Sequence, residues 1–163
     1  MSAAQLKQRL PFVFDDGGRA AAGFRGKAGD CVARSVAIAA GLPYADVYAA
    51  IAKGVGSERG SKGATARNGV NTRRKWFQDY MTALGFAWVP TMQVGQGCTT
   101  HLVQGEIPAG RLILKLSKHT VAVINNVIHD THDPSRETEA SAVDGSIRVM
   151  HRCVYGYWIL TGS

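Results

Sequence analysis

The chain is poor in cysteine, and its few cysteines are widely spaced. Its 163 residues hold only Cys31, Cys98 and Cys153, an odd number with no CxxC or other close spacing. That argues against a disulfide framework and against a thiolate metal site, leaving each cysteine as a small core residue or a reactive thiol. No apolar run approaches the length that spans a bilayer, so no membrane association is expected. Met1 to Leu10 lacks the apolar core of a signal peptide, and a cytoplasmic location is expected. No internal repeat is visible. Acidic residues are also scarce, 12 against 19 lysines and arginines, for a formal charge of +7.

Most of that imbalance lies in one stretch. Lys53, Arg59, Lys62, Arg67, Arg73, Arg74 and Lys75 face only Glu58, a local net charge of +6. Such a segment attracts nucleic acid, an anionic surface or an acidic polypeptide. It carries no interleaved aromatics in its loop portion, which weakens the nucleic-acid reading.

The length suits one domain spanning 1–163 with a core of its own. Residues 1–28 read as a loosely structured lead-in, with a turn at Asp15-Asp16-Gly17-Gly18. A first helix starts at Asp30 or Cys31, with Asp30 as N-cap, an apolar face of Val32, Val36 and Ala40, and Gly41 as its stop. Pro43 opens a second helix with a stripe of Tyr44, Val47, Tyr48 and Ile51. Residues 54–71 read as a long polar, basic loop, a length that is usually functional or disordered. Thr72 caps a third helix whose buried face is Trp76, Phe77, Tyr80, Met81 and Leu84. Arg73, Arg74 and Lys75 would fill its first turn, where the helix dipole disfavours each cation by ~0.3–1 kcal/mol. They are therefore candidate binding residues.

The second half reads as strands: 86–89, 111–116, 119–124, 127–130, 147–149 and 154–160. Asn125-Asn126 between two of them marks a tight hairpin. Helices first and strands afterwards predict an α+β fold, with N-terminal helices packed on a C-terminal antiparallel sheet.

Cys31 is the candidate nucleophile. At a helix start, exposed N–H groups stabilise a thiolate, and its own backbone N–H can help to hold an oxyanion. A nucleophile of this kind needs a base oriented by a third group. A two-residue turn at Asn125-Asn126 pairs Ile124 with Val127, Val123 with Ile128 and Val121 with Asp130. His119 and Asp130 then lie diagonally on one face, ~7–8 Å apart at the backbone. Asp130 is thus placed to orient the His119 imidazole; Asp133 and Asn125 are competing orienters. His119 and His132 would oppose each other in the same register, and with His129 and Asp133 nearby they include two histidines and a carboxylate, a zinc-type donor set. No HExxH or similar motif accompanies them, and neither a metal nor a cofactor is expected.

The segment Gly29-Asp30-Cys31-Val32-Ala33-Arg34-Ser35, opening a helix, resembles the cysteine helix of papain-like peptidases. Its Asp-Cys pair is most similar to the bacteriocin-processing (double-glycine leader) peptidase domains. His119-Thr120-Val121-Ala122-Val123, followed by Val127-Ile128-His129-Asp130, resembles the histidine and aspartate strands of the same superfamily, in the same order. The resemblance implies a papain-like fold and a cysteine peptidase or isopeptidase activity. It makes Cys31 nucleophile, His119 base and Asp130 orienter, with a polypeptide substrate. The family commonly carries a glutamine oxyanion donor six residues before the cysteine; here that position is Arg25, with Lys27 nearby. A second reading is a scaffold of weak or absent activity that binds nucleic acid or an acidic protein through 53–75.

Overall fold

Alanine sets the character of the first helix. The computed structural model describes residues 8–25, 29–58, 66, 70–93, 95–135, 137–141 and 147–161. Helix α1 (Cys31–Ala40) buries every residue from Val32 to Ala39, where the sequence pattern suggested only a narrow apolar face. Its alanines let neighbours approach on all sides, as befits a helix at the centre of a core. Gly41 ends it in the left-handed conformation, as expected. Helix α2 (Tyr44–Gly56) buries the expected Tyr44, Val47 and Ile51. Helix α3 (Lys75–Ala83) buries Phe77 and Met81.

Two helix boundaries differ from expectation. Helix α2 continues through Gly56, taking in the first residues of the expected 54–71 loop. The reason is a contact: Trp76 lies over Gly54, where a Cβ would stand 2.1 Å from its ring. Trp76 Nε1 donates to Glu58 at 2.8 Å, which fastens the end of α2 to α3. Helix α3 starts at Lys75, with Arg74 rather than Thr72 at the N-cap position, so Arg73 and Arg74 precede the helix and avoid its unfavourable first turn. Arg59, Lys62 and Arg67 lie outside the described residues.

The strands are β1 (Phe12–Phe14), β2 (Phe86–Pro90), β3 (Arg111–Leu116), β4 (His119–Ile124), β5 (Val127–Asp130), β6 (Glu137–Ser141), β7 (Ile147–His151) and β8 (Gly156–Leu160). Six form one sheet in the order β1-β5-β4-β3-β8-β2, and β6 and β7 form a separate hairpin. The α+β class holds, but the sheet is mixed rather than antiparallel. Strand β1, from the expected lead-in, pairs in parallel with β5, matching Phe12 with Ile128 and Phe14 with Asp130. Three residues between Pro11 and the Asp15–Gly18 turn are too short to show a period. The turn itself forms, with Gly17 N–H donating to Asp15 Oδ1 at 2.8 Å.

Both faces of the sheet are covered, which explains the unbroken apolar runs of β3 and β4. One cluster joins Val36, Val47, Ile51, Phe77 and Met81 to Ile113, Ala122 and Trp158. The other gathers Leu10, Leu102 and Ile107 with Leu112, Leu114, Val121 and Val123. Arg111 of β3 caps the end of α1, donating from Nε to the Ala39 carbonyl at 2.7 Å and from Nη2 to that of Ile38 at 3.0 Å. Among the described residues no helix is long and apolar enough to cross a membrane.

The cysteine expectation needs correction. Cys98 and Cys153 form a disulfide, and Cys31 is the free cysteine. Their 55-residue separation hides the pairing in the sequence, and the fold creates it. His101 bridges to Cys153, and Val154 N–H donates to the Thr100 carbonyl at 2.8 Å, bringing the two segments side by side. One disulfide plus one free thiol accounts for the odd count.

The packing at Gly54 reverses an ordinary substitution effect. Gly→Ala inside a helix normally stabilises by ~1 kcal/mol. Gly54→Ala is expected instead to destabilise by about 1–3 kcal/mol, because the methyl displaces the Trp76 ring. A lower urea midpoint with an unchanged slope checks it.

Candidate active site

The tight turn between β4 and β5 forms as its sequence demands, with positive φ at both Asn125 and Asn126. The ladder pairs Ile124 with Val127, Val123 with Ile128 and Ala122 with His129. Just beyond the last pair, His119 Nε2 lies 2.6 Å from Asp130 Oδ2. Asp130 is only 3% exposed. Its second oxygen accepts from Thr131 N–H at 2.7 Å and from Arg34 Nη2 at 3.4 Å. Neither competing orienter is used this way. Asn125 sits in the turn and accepts from Gly110 N–H at 3.0 Å, and Asp133 accepts from Ser135 N–H at 2.9 Å.

Cys31 opens α1 and remains partly exposed. Its thiol and the His119 ring face the same cleft, and each shifts the ionisation of the other. Because Nε2 faces Asp130, Nδ1 is the ring nitrogen left for the sulfur. Ser35 fixes the two elements together: its hydroxyl is shared between the carbonyl of Cys31, one turn back at 2.5 Å, and that of Thr120, 3.0 Å away on β4. Cys31, His119 and Asp130 therefore form a continuous row.

The electrostatics of the row favour charge separation. Burial pushes the Cys31 thiol up, but the His119 hydrogen bond and charge, the Thr120 N–H and the Arg34 cation together hold it below its ordinary value. Burial pushes His119 down, and its bonds to Asp130 and Cys31 outweigh this, raising it to about 9. Asp130 is lowered: burial opposes its ionisation, while His119, the Thr131 N–H and Arg34 favour it more strongly. These interactions shift the pair toward a thiolate beside an imidazolium.

Beneath the row lies a network that the sequence did not announce. Asp30 occupies the N-cap position of α1 but makes no capping bond. Its carboxylate instead binds Arg34, one turn along, the Tyr44 hydroxyl, and Arg19 Nε at 3.1 Å. Arg34, only 2% exposed, thus spans two buried carboxylates, Asp30 before the thiol and Asp130 behind the imidazole. The Asp at i and Arg at i+4 were its only trace in sequence, and that pattern usually marks an exposed pair. The side chain of Asp30 is turned inward and does not cap the first turn of α1.

The row opens on a cleft of about 340 Å³, lined also by Lys115, Lys118, Thr120 and His132. Arg25, the position compared with a glutamine, is exposed and does not line this cleft; its carbonyl accepts from Arg19 Nη2 at 3.3 Å. Lys27 lies outside the described residues. Of the three expected binding residues, Arg74 lies 3.6 Å from Glu58 and Lys75 lies 2.7 Å from Asp79. Only Arg73 lines a groove, the one treated below.

His119, Asp130 and His132 offer donor atoms within 4.8 Å of one another, the set that could hold a metal ion. His129 turns away to Asp15, 3.0 Å off, and leaves that group. Comparison with protein-family models, with curated proteins and with solved structures found no match for this chain.

Removing the guanidinium would take a charged partner from two buried carboxylates at once. Arg34→Met is expected to destabilise the fold by about 3–5 kcal/mol. Arg34→Lys should recover only part of this, since one ammonium cannot fork between Asp30 and Asp130. Urea unfolding of the two variants at neutral pH gives the comparison.

Proposed function

We propose that this protein is a thiol hydrolase of papain-like architecture, a cysteine peptidase or isopeptidase that works through an acyl-enzyme on Cys31. The observation that carries the reading is the row Cys31–His119–Asp130, in which a helix-start thiol shares a cleft with an imidazole held by a buried carboxylate. Nucleophile, base and orienter on three different elements are what acyl transfer to sulfur requires. The resemblance of the Cys31 and His119 segments to papain-like peptidases supports the same chemistry.

In the first half-reaction the Cys31 thiolate attacks the carbonyl carbon, and the electron pair moves onto the carbonyl oxygen. Backbone N–H groups at the start of α1, including that of Cys31, serve as donors to the developing oxyanion. As the tetrahedral adduct collapses, the C–N bond breaks and imidazolium His119 gives its Nδ1 proton to the leaving amine. A thioester remains. Neutral His119 then takes a proton from water as that water attacks the thioester carbon. Collapse releases the carboxylic acid and restores the thiolate beside imidazolium. Asp130 holds the ring in place and stabilises its positive form throughout. Lys115 and Lys118 at the cleft suit an acidic substrate segment.

Binding through the basic segment alone is the weaker reading, because Arg74 and Lys75 already lie against carboxylates. Metal capture by His119, Asp130 and His132 would compete with the thiol for the same imidazole.

The test is the reactivity of Cys31. Near pH 6, an ordinary thiol is well under ~1% ionised. Iodoacetamide at that pH should alkylate Cys31 selectively, as peptide mapping reads it. His119→Ala should slow this by about tenfold or more. A mixed synthetic peptide library should give cleavage products with the wild type and none with Cys31→Ser. Alkylation of Cys31 no faster than that of a free thiol, together with an uncut library, would contradict the reading.

A further inference from the structure

A second, larger concavity of about 830 Å³ lies beside β2, the edge strand of the main sheet. Its apolar surface comes from Trp88, Met92, Tyr155 and Trp158. Three of these side chains are well exposed, Trp88 at 43%, Met92 at 42% and Tyr155 at 36%, an unusual concentration for a free surface. Arg73 and Lys115 supply the charge, and among the described residues no aspartate or glutamate lines the groove.

The groove and the thiol cleft are bordered by two common segments. Lys115 lines both. The chain at Val70 walls the cleft, and three residues later Arg73 walls the groove. The far rim is fixed: the Cys98–Cys153 disulfide joins the segment that carries Met92 and Gly97 to the one that leads into Tyr155. Trp88 is held in turn by the absence of a side chain at Gly156, where a Cβ would lie 2.4 Å from the indole. A pre-formed apolar wall loses little entropy on binding.

We infer that this groove binds the substrate polypeptide next to its scissile bond. It takes an extended segment with a bulky apolar side chain against Trp88 and Met92 and a carboxylate toward Arg73 and Lys115. The inference rests on the hydrolase reading for what happens at the cleft, but the binding itself needs no chemistry. Single-stranded nucleic acid is the rival occupant, since aromatics and cations are its usual platform. Two lining cations are few for following a phosphate backbone, and the connection to a thiol cleft favours an acyl-bearing chain.

The full-length Cys31→Ser protein tests it by fluorescence anisotropy. Three labelled synthetic peptides are compared: Asp-Asp-Phe-Leu-Ala-Ala, its Lys-Lys counterpart, and Asp-Asp-Ser-Ser-Ala-Ala. An oligothymidylate is the fourth probe. The acidic apolar peptide should bind at least about tenfold more tightly than the other three probes. Trp88→Ala should bring it to the level of the serine peptide, and Arg73→Glu, a change at an exposed site, should remove the preference for Asp over Lys. Equal binding of the three peptides, tighter binding of the oligothymidylate, or a preference untouched by both substitutions would overturn the inference. A failure here with normal Cys31 alkylation condemns the groove alone; unreactive Cys31 with intact peptide selectivity condemns the hydrolase reading alone.

Discussion

Arg34 is a cation with almost no contact with water, placed between two carboxylates from distant parts of the chain. One, Asp30, immediately precedes the free thiol; the other, Asp130, holds the imidazole. A buried charge is tolerated only when paired and hydrogen-bonded, and breaking such a pair costs far more than breaking one at the surface. The start of α1 and the end of β5 are therefore tied together below the cleft. Ser35 repeats the connection one layer higher, joining α1 to β4 through the carbonyls of Cys31 and Thr120. The positions of sulfur, imidazole and carboxylate follow from these links, and Arg111 anchors the opposite end of the same helix.

That arrangement explains the charge state of the site. Cys31 and His119 are both substantially withdrawn from solvent, and withdrawal alone would leave both neutral. Asp130 tips the balance by stabilising the imidazolium, and the imidazolium in turn stabilises the thiolate. Arg34 pairs with Asp130 and adds its positive charge behind the Cys31 thiol. It is a positioning residue that keeps Asp130 ionised and in place at the back of the row. In the proposed reading, the groove beside β2 is the surface that aligns a substrate chain before the thiol meets a carbonyl.

Much of this was legible in sequence wherever local rules govern. The Asn125-Asn126 turn fixes the register of β4 on β5, and the register alone brings His119 toward Asp130. Gly29-Asp30-Cys31 before an apolar helix marked the thiol. The failures share a cause, which is long-range pairing. Strand β1 is three residues long and acquires its identity only beside β5. Cys98 and Cys153 meet because the segment around His101 runs against the one entering β8. Arg34 and Ser35 resembled ordinary polar residues of a helix because nothing nearby says that α1 is enclosed on all sides. Asp30 was placed correctly at the helix start but given the commonest task of that position, whereas the nearby arginines draw its carboxylate inward. The expected role of Arg25 came from a position count, and the exposed site it occupies does not reach the cleft.

The central claim is that Cys31 rests as a thiolate stabilised by His119. Ultraviolet absorbance of the thiolate, taken as the difference between wild type and Cys31→Ser across a pH titration, measures it directly. The account predicts thiolate absorbance that appears below the range of a free thiol, about pH 8.5, and moves back toward that range in His119→Ala. A wild-type titration centred on that free-thiol range, unchanged by His119→Ala, would contradict it.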